Sequence, residues 1–460
     1  MKFKLSQITV LVVSALSVSA GMAATVNDTV NINNNNAGPI ITGKYRSDDT
    51  VKYSGSISNS PNTITFVGHE SAWESDVYYT DVEDGNGHVI GTRANYDYKY
   101  FYSPVDVDTL EITDSSVRIN GKADNLTVNG NSIVTITGSD AYDKYRGANH
   151  ENPSDSSSAY RPARHNYYNN RQDEITVSTG NGTYNDESKQ YLDGEHIGDV
   201  KKPDNSNATL TIKGTDVTDA RLGADKGKYL VATGDTFNGK AEQHIGENSL
   251  SQGATFNGQS SQHLKGKDGK KAVSLDATFT GTAGVKHTGQ TVGSNGLAID
   301  STFDYANQDI SSGGVAKNNT LRNGDQNVSG EADNTKITNG NQTVSGKATT
   351  NSIDNTNGTH GLQLVSGTAT DNTLKNADQI IEKTGVAVKN VIDNAGAEHG
   401  IQVVRGKAED NTLSNTDQRV EKDGIASVKN DITDGNQFVD GFAENNTITN
   451  KATNRGKQVI

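Results

Sequence analysis

A chain of 460 residues with 56 acidic against 42 basic side chains, 48 glycines and no cysteine cannot be stapled by disulfides and has no basic stripe with which to hold nucleic acid. Only 32% of its residues are hydrophobic, a level at which chains can stay disordered, so order has to come from where those residues fall.

At the start, Lys2 and Lys4 precede an apolar run from Ile8 to Val18, followed by the small residues Ser19-Ala20-Gly21-Met22-Ala23-Ala24. The run is short for a membrane span, and the pattern predicts a cleavable signal peptide over residues 1–23, cut after Ala23 or Ala24; a membrane anchor is the alternative.

Residues 24–233 show short alternating pairs: Ile64-x-Phe66, Leu110-x-Ile112, Val117-x-Ile119, Leu126-x-Val128, Val134-x-Ile136, Ile175-x-Val177 and Leu210-x-Ile212. Side chains two apart share a strand face, so these predict irregular coils of a β-solenoid. The cluster Tyr96, Tyr98, Tyr100, Phe101 and Tyr102 alternates as a strand does, its tyrosines pairing with neighbouring strands. Before it, the acidic run from Asp81 to Gly87 lacks the alternation and closing Glu of a calcium loop and reads as a hairpin turn. Residues 140–173 carry Pro153, Pro162, a serine run and the residues Tyr160, Arg161, Arg164, Tyr167, Tyr168 and Arg171. They predict a loop leaving the stack, either a polar insertion or a Tyr/Arg contact surface.

From residue 234 a repeat takes over. Gln243, Gln262, Gln290, Gln308, Gln326, Gln342, Gln363, Gln379, Gln402, Gln418, Gln437 and Gln458 each open a Gln-x-aliphatic step, at a mean spacing of about 19.5 residues. The unit is plain in Gln402-Val403-Val404, Gly406-Lys407-Ala408, Asn411-Thr412-Leu413: three short strands, with Gln beside an inward Val and Asn beside an inward Leu. Asn recurs two before the aliphatic at Asn319, Asn351, Asn372, Asn390, Asn411, Asn430 and Asn446, interrupted by Thr335. Stacked amides are expected to hydrogen-bond along the pile, with Gly and Asn at the corners. Gly follows Gln by four residues in some copies and by six in others (Gln308, Gln379, Gln418), the mark of a two-residue turn insertion. The first copies put Phe237, Phe256, Phe279 and Phe303 where later ones put Leu or Ile, as for a wider core. No stretch sustains a helical period. The expected fold is all-β, a parallel β-helix built from imperfect repeats of about 19 residues.

At these residues the chain resembles the passenger region of AIDA-type autotransporter adhesins, whose imperfect repeats also read Gln-x-Val, Gly-x-Ala, Asn-Thr-Leu/Ile. The clear match covers residues 290–460 and a degenerate one runs back to about 234. The resemblance implies a right-handed β-helix on a Gram-negative outer surface that promotes adhesion, bacterial self-association and biofilm formation. Its partners would be other copies of itself on neighbouring cells and a host or abiotic surface. Delivery would use the Sec export machinery and the outer-membrane assembly machinery. Some family members carry heptose on Ser and Thr of these repeats, which adds a heptosyltransferase. Two features depart from the pattern. Many large autotransporters have a longer signal region, and a membrane β-barrel is expected after the passenger, whereas this chain stops inside a repeat at Gln458-Val459-Ile460. The expectation is the N-terminal piece of a longer surface protein, or else a secreted solenoid.

Sites for chemistry are sparse. His69-Glu70 lacks the second histidine of His-Glu-x-x-His, and there is no P-loop, Gly-x-Ser-x-Gly or Gly-Asp-Ser-Gly. His244 and His263 each follow a repeat Gln and should stack on adjacent coils; solvent-facing ladder positions account for them, with a metal site the rarer alternative. His360 and His399 are two coils, about 10 Å, apart and too far to share an ion. No catalytic residue, cofactor or metal is therefore expected. Gln326, Gln342, Gln363, Gln379, Gln402, Gln418 and Gln437, with Asn351, Asn372, Asn390, Asn411, Asn430 and Asn446, form the inner ladder. Outward positions such as Lys407, Glu409, Thr412 and Arg419 set adhesion. A glycan-degrading β-helix or a purely structural matrix protein are the alternatives.

Overall fold

The computed structural model describes residues 25–33, 40–42, 50–67, 69–103, 105–138, 172–201, 209–355, 360–394, 399–427, 429–449 and 457–460. The expected signal peptide and nearly all of the 140–173 insertion, with its tyrosines and arginines, lie outside these residues. The chain is all-β, a parallel β-solenoid of about 15 turns, in two compact units: residues 1–183 with 188–231, and residues 184–187 with 232–460. Among the described residues the only helix is a 3-10 segment, Ala220–Asp225, started by Asp219, whose carboxylate accepts from the Arg221 backbone N–H. None of their helices is long and apolar enough to cross a membrane.

In the second unit each coil has three strands, shown by Gly400–Val404 (the glutamine strand), Lys407–Glu409 (the alanine strand) and Thr412–Ser414 (the leucine strand). Each stacks in parallel on its own kind: Gln402 pairs with Gln379 and Gln418, Ala408 with Ala387 and Ala426, Leu413 with Ile392 and Ile432. Through Val439 the inward side chains of these columns are buried, and Ala443 and Ile448 of the last coil are half-buried. Copies with the later Gly carry a tight turn, Glu382 to Gly385, closed by the Gly385 N–H on the Glu382 carbonyl at 2.7 Å.

Asn and Asp, which tolerate the left-handed region, take most corners with positive φ, among them Asn318, Asn334, Asp371, Asp410 and Asn445. Gly has a different task at the glutamine-to-alanine corner. A Cβ on Gly367 would run into the Gly346 carbonyl one coil below, so it is close stacking, not a left-handed φ, that requires glycine there. At the front of this unit Phe237, Phe256, Phe279 and Phe303 form a buried column with ring centroids 4.6–4.7 Å apart, which Tyr184 extends at 4.8 Å. The repeat did not announce Tyr184.

The first unit stacks less regularly, with a register shift between Tyr53 and Gly55. Thr25–Asn33, Thr50–Ser58 and Val105–Thr113 pair in parallel, as do Ile64–Val67, Ser116–Ile119 and Ile133–Thr137. The apolar pairs from Ile64-x-Phe66 to Val134-x-Ile136 are fully buried. Two elements leave the parallel pattern. His69–Glu83 and Val89–Ser103 form a long antiparallel hairpin that includes Tyr96, Tyr98, Tyr100, Phe101 and Tyr102. Its turn is built on Asp84, whose carboxylate accepts from the Asn86 and His88 backbone N–H groups at 2.8 and 2.9 Å. Ile175 and Leu210-x-Ile212, read from the sequence as coils, belong instead to a separate three-stranded sheet in which Gly198–Lys201 runs antiparallel to Thr209–Lys213.

Candidate functional site

The inner face of the second unit is a continuous amide wire. From Gln262 to Gln458, each glutamine Nε2 donates to the Oε1 of the glutamine one coil earlier, eleven bonds of 2.6–2.9 Å that all point the same way. Gln326, Gln342, Gln363, Gln379, Gln402, Gln418 and Gln437 are fully buried. Buried amides are tolerated only when bonded, and an unbroken column is what bonds them.

The asparagine column works differently from the expected amide stack. The Asn372 Oδ1 accepts from the Asn351 backbone N–H, Asn390 from Asn372, Asn411 from Asn390, Asn430 from Asn411 and Asn446 from Asn430, at 2.8–3.1 Å. Their Nδ2 groups mostly reach an alanine-strand carbonyl one coil earlier, as Asn390 does on Ala369 at 3.1 Å. These side chains satisfy the corner backbone, because there the strand ladder is interrupted by a residue with positive φ and cannot do so itself. Only Asn430 also donates side chain to side chain, to Asn446 at 3.0 Å.

The outer face carries charge in pairs. Thr412 and Arg419 are exposed, while Lys407 and Glu409 are half-buried and paired at 2.6 Å. Arg405 spans three coils, its Nη1 2.9 Å from Glu382 and its Nε 3.0 Å from Glu421. The hydrogen bond from Arg405 to Glu421 raises the arginine pKa further above its ordinary value. Lys347 reaches Glu331 at 2.9 Å and Lys383 reaches Asp423 at 3.4 Å. Such exposed pairs add little stability one by one; they fix a pattern of alternating sign on the surface.

Three histidine arrangements complete the face. His360 lies 2.9 Å from the Asn376 Oδ1 and 2.8 Å from Asp378, and His399 repeats this on Asn415 at 3.0 Å and Asp417 at 2.8 Å. Each has its own carboxylate, so the two are not brought together. His244 and His263 do stack, with centroids 4.9 Å apart and planes at 24°. The structure adds Glu242, whose carboxylate is 2.9 Å from the His244 Nε2. The signal for Glu242 was its parity, since a residue two before His244 shares the outward face.

No protein-family model matches this chain, and no curated protein matches it. Among solved structures it is similar to the TibC-catalysed, hyper-glycosylated TibA fragment spanning residues 55–350, at 18% identity and a TM-score of 0.40, over 75% of this chain and 97% of that one.

Proposed function

We propose that this protein is an exported adhesin passenger that joins cells through its solenoid flank, with a second copy on a neighbouring cell as its first partner and a host or abiotic surface as a further one. The observation that supports this most is the in-register repetition of the outer face. Side chains recur at coil spacing with both charge signs interleaved, as where Lys347 lies opposite Glu331 and in the Glu382, Arg405, Glu421 series. Two such flanks laid against each other form many weak contacts at once, and multivalency turns weak contacts into firm attachment. The resemblance to AIDA-type repeats supports surface display by the outer-membrane route and sugar addition by a heptosyltransferase. In this reading the chain binds and no side chain acts as a catalyst.

The test is a settling assay on cells that carry the intact gene, a deletion, or a gene encoding Lys383→Glu with Arg405→Glu. Aggregation is expected with the intact gene, lost on deletion and weakened by the charge reversal at unchanged surface level. Labelled deletion cells should stay out of the clumps. If the deletion strain clumps as well as its parent, the adhesive reading fails.

A further inference from the structure

We propose that Glu242, His244 and His263 form a binding site for a zinc-class divalent transition-metal ion on the outer face of the second unit. The strands Glu242–Ile245 and Ser261–Leu264 are parallel and in register, with Glu242 opposite Ser261, Gln243 opposite Gln262 and His244 opposite His263. Gln243, Gln262, Ile245 and Leu264 are buried. Strand alternation therefore sends Glu242, His244, Ser261 and His263 outward together, as the four corners of one patch. The register is locked from beneath by the Gln262-to-Gln243 amide bond at 2.8 Å.

One donor atom from each of Glu242, His244 and His263 lies within 4.8 Å of the other two. A tetrahedral ion with bonds of about 2.0–2.1 Å wants its donors about 3.3 Å apart. Glu242 and His244 already meet at 2.9 Å through a hydrogen bond that the ion would replace. To join them, the half-buried His263 ring would turn from its 3.2 Å contact with the Ser261 hydroxyl. The paired strands beneath hold the three residues in register.

The donor set names the ion class. Two imidazoles and one carboxylate suit zinc and its neighbours, not calcium or magnesium, which prefer all-oxygen shells. Three protein ligands leave a fourth position for water or for a donor from another molecule. The ring pair does not continue along the column, because the next coil places Thr291 opposite His263. Among the described residues no second such cluster of His and carboxylate donors occurs, and the site stands whether or not the flank is adhesive.

The experiment titrates Zn2+ into chelator-treated full-length protein, in competition with a chromophoric chelator, and follows the melting temperature alongside. One ion per chain is expected, with a rise in melting temperature from binding to the folded state. Loss of an outer-shell partner alone weakens metal sites about 10–100-fold, so His244→Ala and His263→Ala should each weaken binding at least about 100-fold. Glu242→Gln should also weaken it. X-ray absorption on the zinc-loaded native protein keeps the test independent of variant folding and should show two imidazoles with oxygen donors. The proposal is overturned by absence of stoichiometric binding, by binding that survives the His244→Ala/His263→Ala pair, or by a spectrum with fewer than two imidazoles.

Discussion

Residues 232–460 and residues 50–138 face the same difficulty, buried polar groups at every corner of a thin coil, and meet it with different side chains. In the later stretch glutamines bond to glutamines and asparagine carbonyls cap the backbone of the coil before, from Asn319 on Ser301 through to Asn446 on Asn430. In the earlier one serine takes the capping task. The Ser60 N–H donates to the Ser115 hydroxyl at 3.0 Å, and the Ser115 N–H to the Ser132 hydroxyl at 3.2 Å. No glutamine column runs beside the serines among the residues described between 50 and 138. A side-chain wire works only if every coil supplies the same residue, so the wire imposes a sequence period. A hydroxyl cap that reaches backbone makes no such demand, and these coils can accept a hairpin as long as His69–Ser103 between successive turns.

Breaking the wire should have the largest effect. Gln379→Ala removes the acceptor of Gln402 and the donor of Gln363 at once. Each buried group left unpaired costs about 1–3 kcal/mol, and with the cavity we expect a loss of about 3–5 kcal/mol in urea unfolding. Solenoids unfold by neighbouring units, so hydrogen exchange should accelerate first in the coils of Gln363 and Gln402. A loss below about 1 kcal/mol would mean the wire is ornamental. The asparagine corner comes next. Asn390→Ala orphans the Asn372 N–H and takes one donor from the Ala369 carbonyl, for about 1–3 kcal/mol by the same assay. Asn390→Thr, the residue this column holds at Thr335, should recover part of that loss.

The same contrast explains what could be read from the sequence. Where one position serves one column, the letters repeat, and Gln402-x-Val404 or Asn411-x-Leu413 told both the fold and which side chains are inward. The bonding of the asparagines was not legible, because it depends on a left-handed residue such as Asp410 just before Asn411, which takes the backbone out of strand pairing. Tyr184 was missed because its place in the phenylalanine column is fixed by stacking and not by spacing. Leu210-x-Ile212 looked like a coil because alternation records which face is buried and says nothing of whether the partner strand is parallel. Glu242 shares its parity with His244, and the expected stack of His244 on His263 puts all three on one face; what the sequence does not carry is the 2.9 Å approach of the carboxylate to the ring.

Smaller effects sharpen the comparison. Ser115→Ala deprives the Ser60 N–H of its acceptor while removing little volume, so about 1 kcal/mol is expected in the same urea assay. Equal sensitivity at Ser115 and Asn390 would show that capping alone, without the glutamine wire beside it, sets corner stability.

The smallest effect lies where the second unit departs from its own repeat. Between Gln262 and Gln290 the coil swells, and His287 in that segment donates its Nε2–H to the Ser260 carbonyl at 2.8 Å, so a titratable ring does work that backbone does elsewhere. Burial outweighs this hydrogen bond and lowers the His287 pKa from its ordinary 6.5. The unfolded chain therefore takes up this proton first as pH falls. The resulting stability is fully present above about pH 6.5 and is lost as pH drops through the lower folded value. Melting temperatures of the native protein and of His287→Gln, taken from pH 8 to pH 5, should differ in slope below about pH 6.5 and run parallel above it. Parallel curves throughout would show that the ring is not buried as a neutral donor and that its bond to the Ser260 carbonyl does not set the stability of this irregular coil.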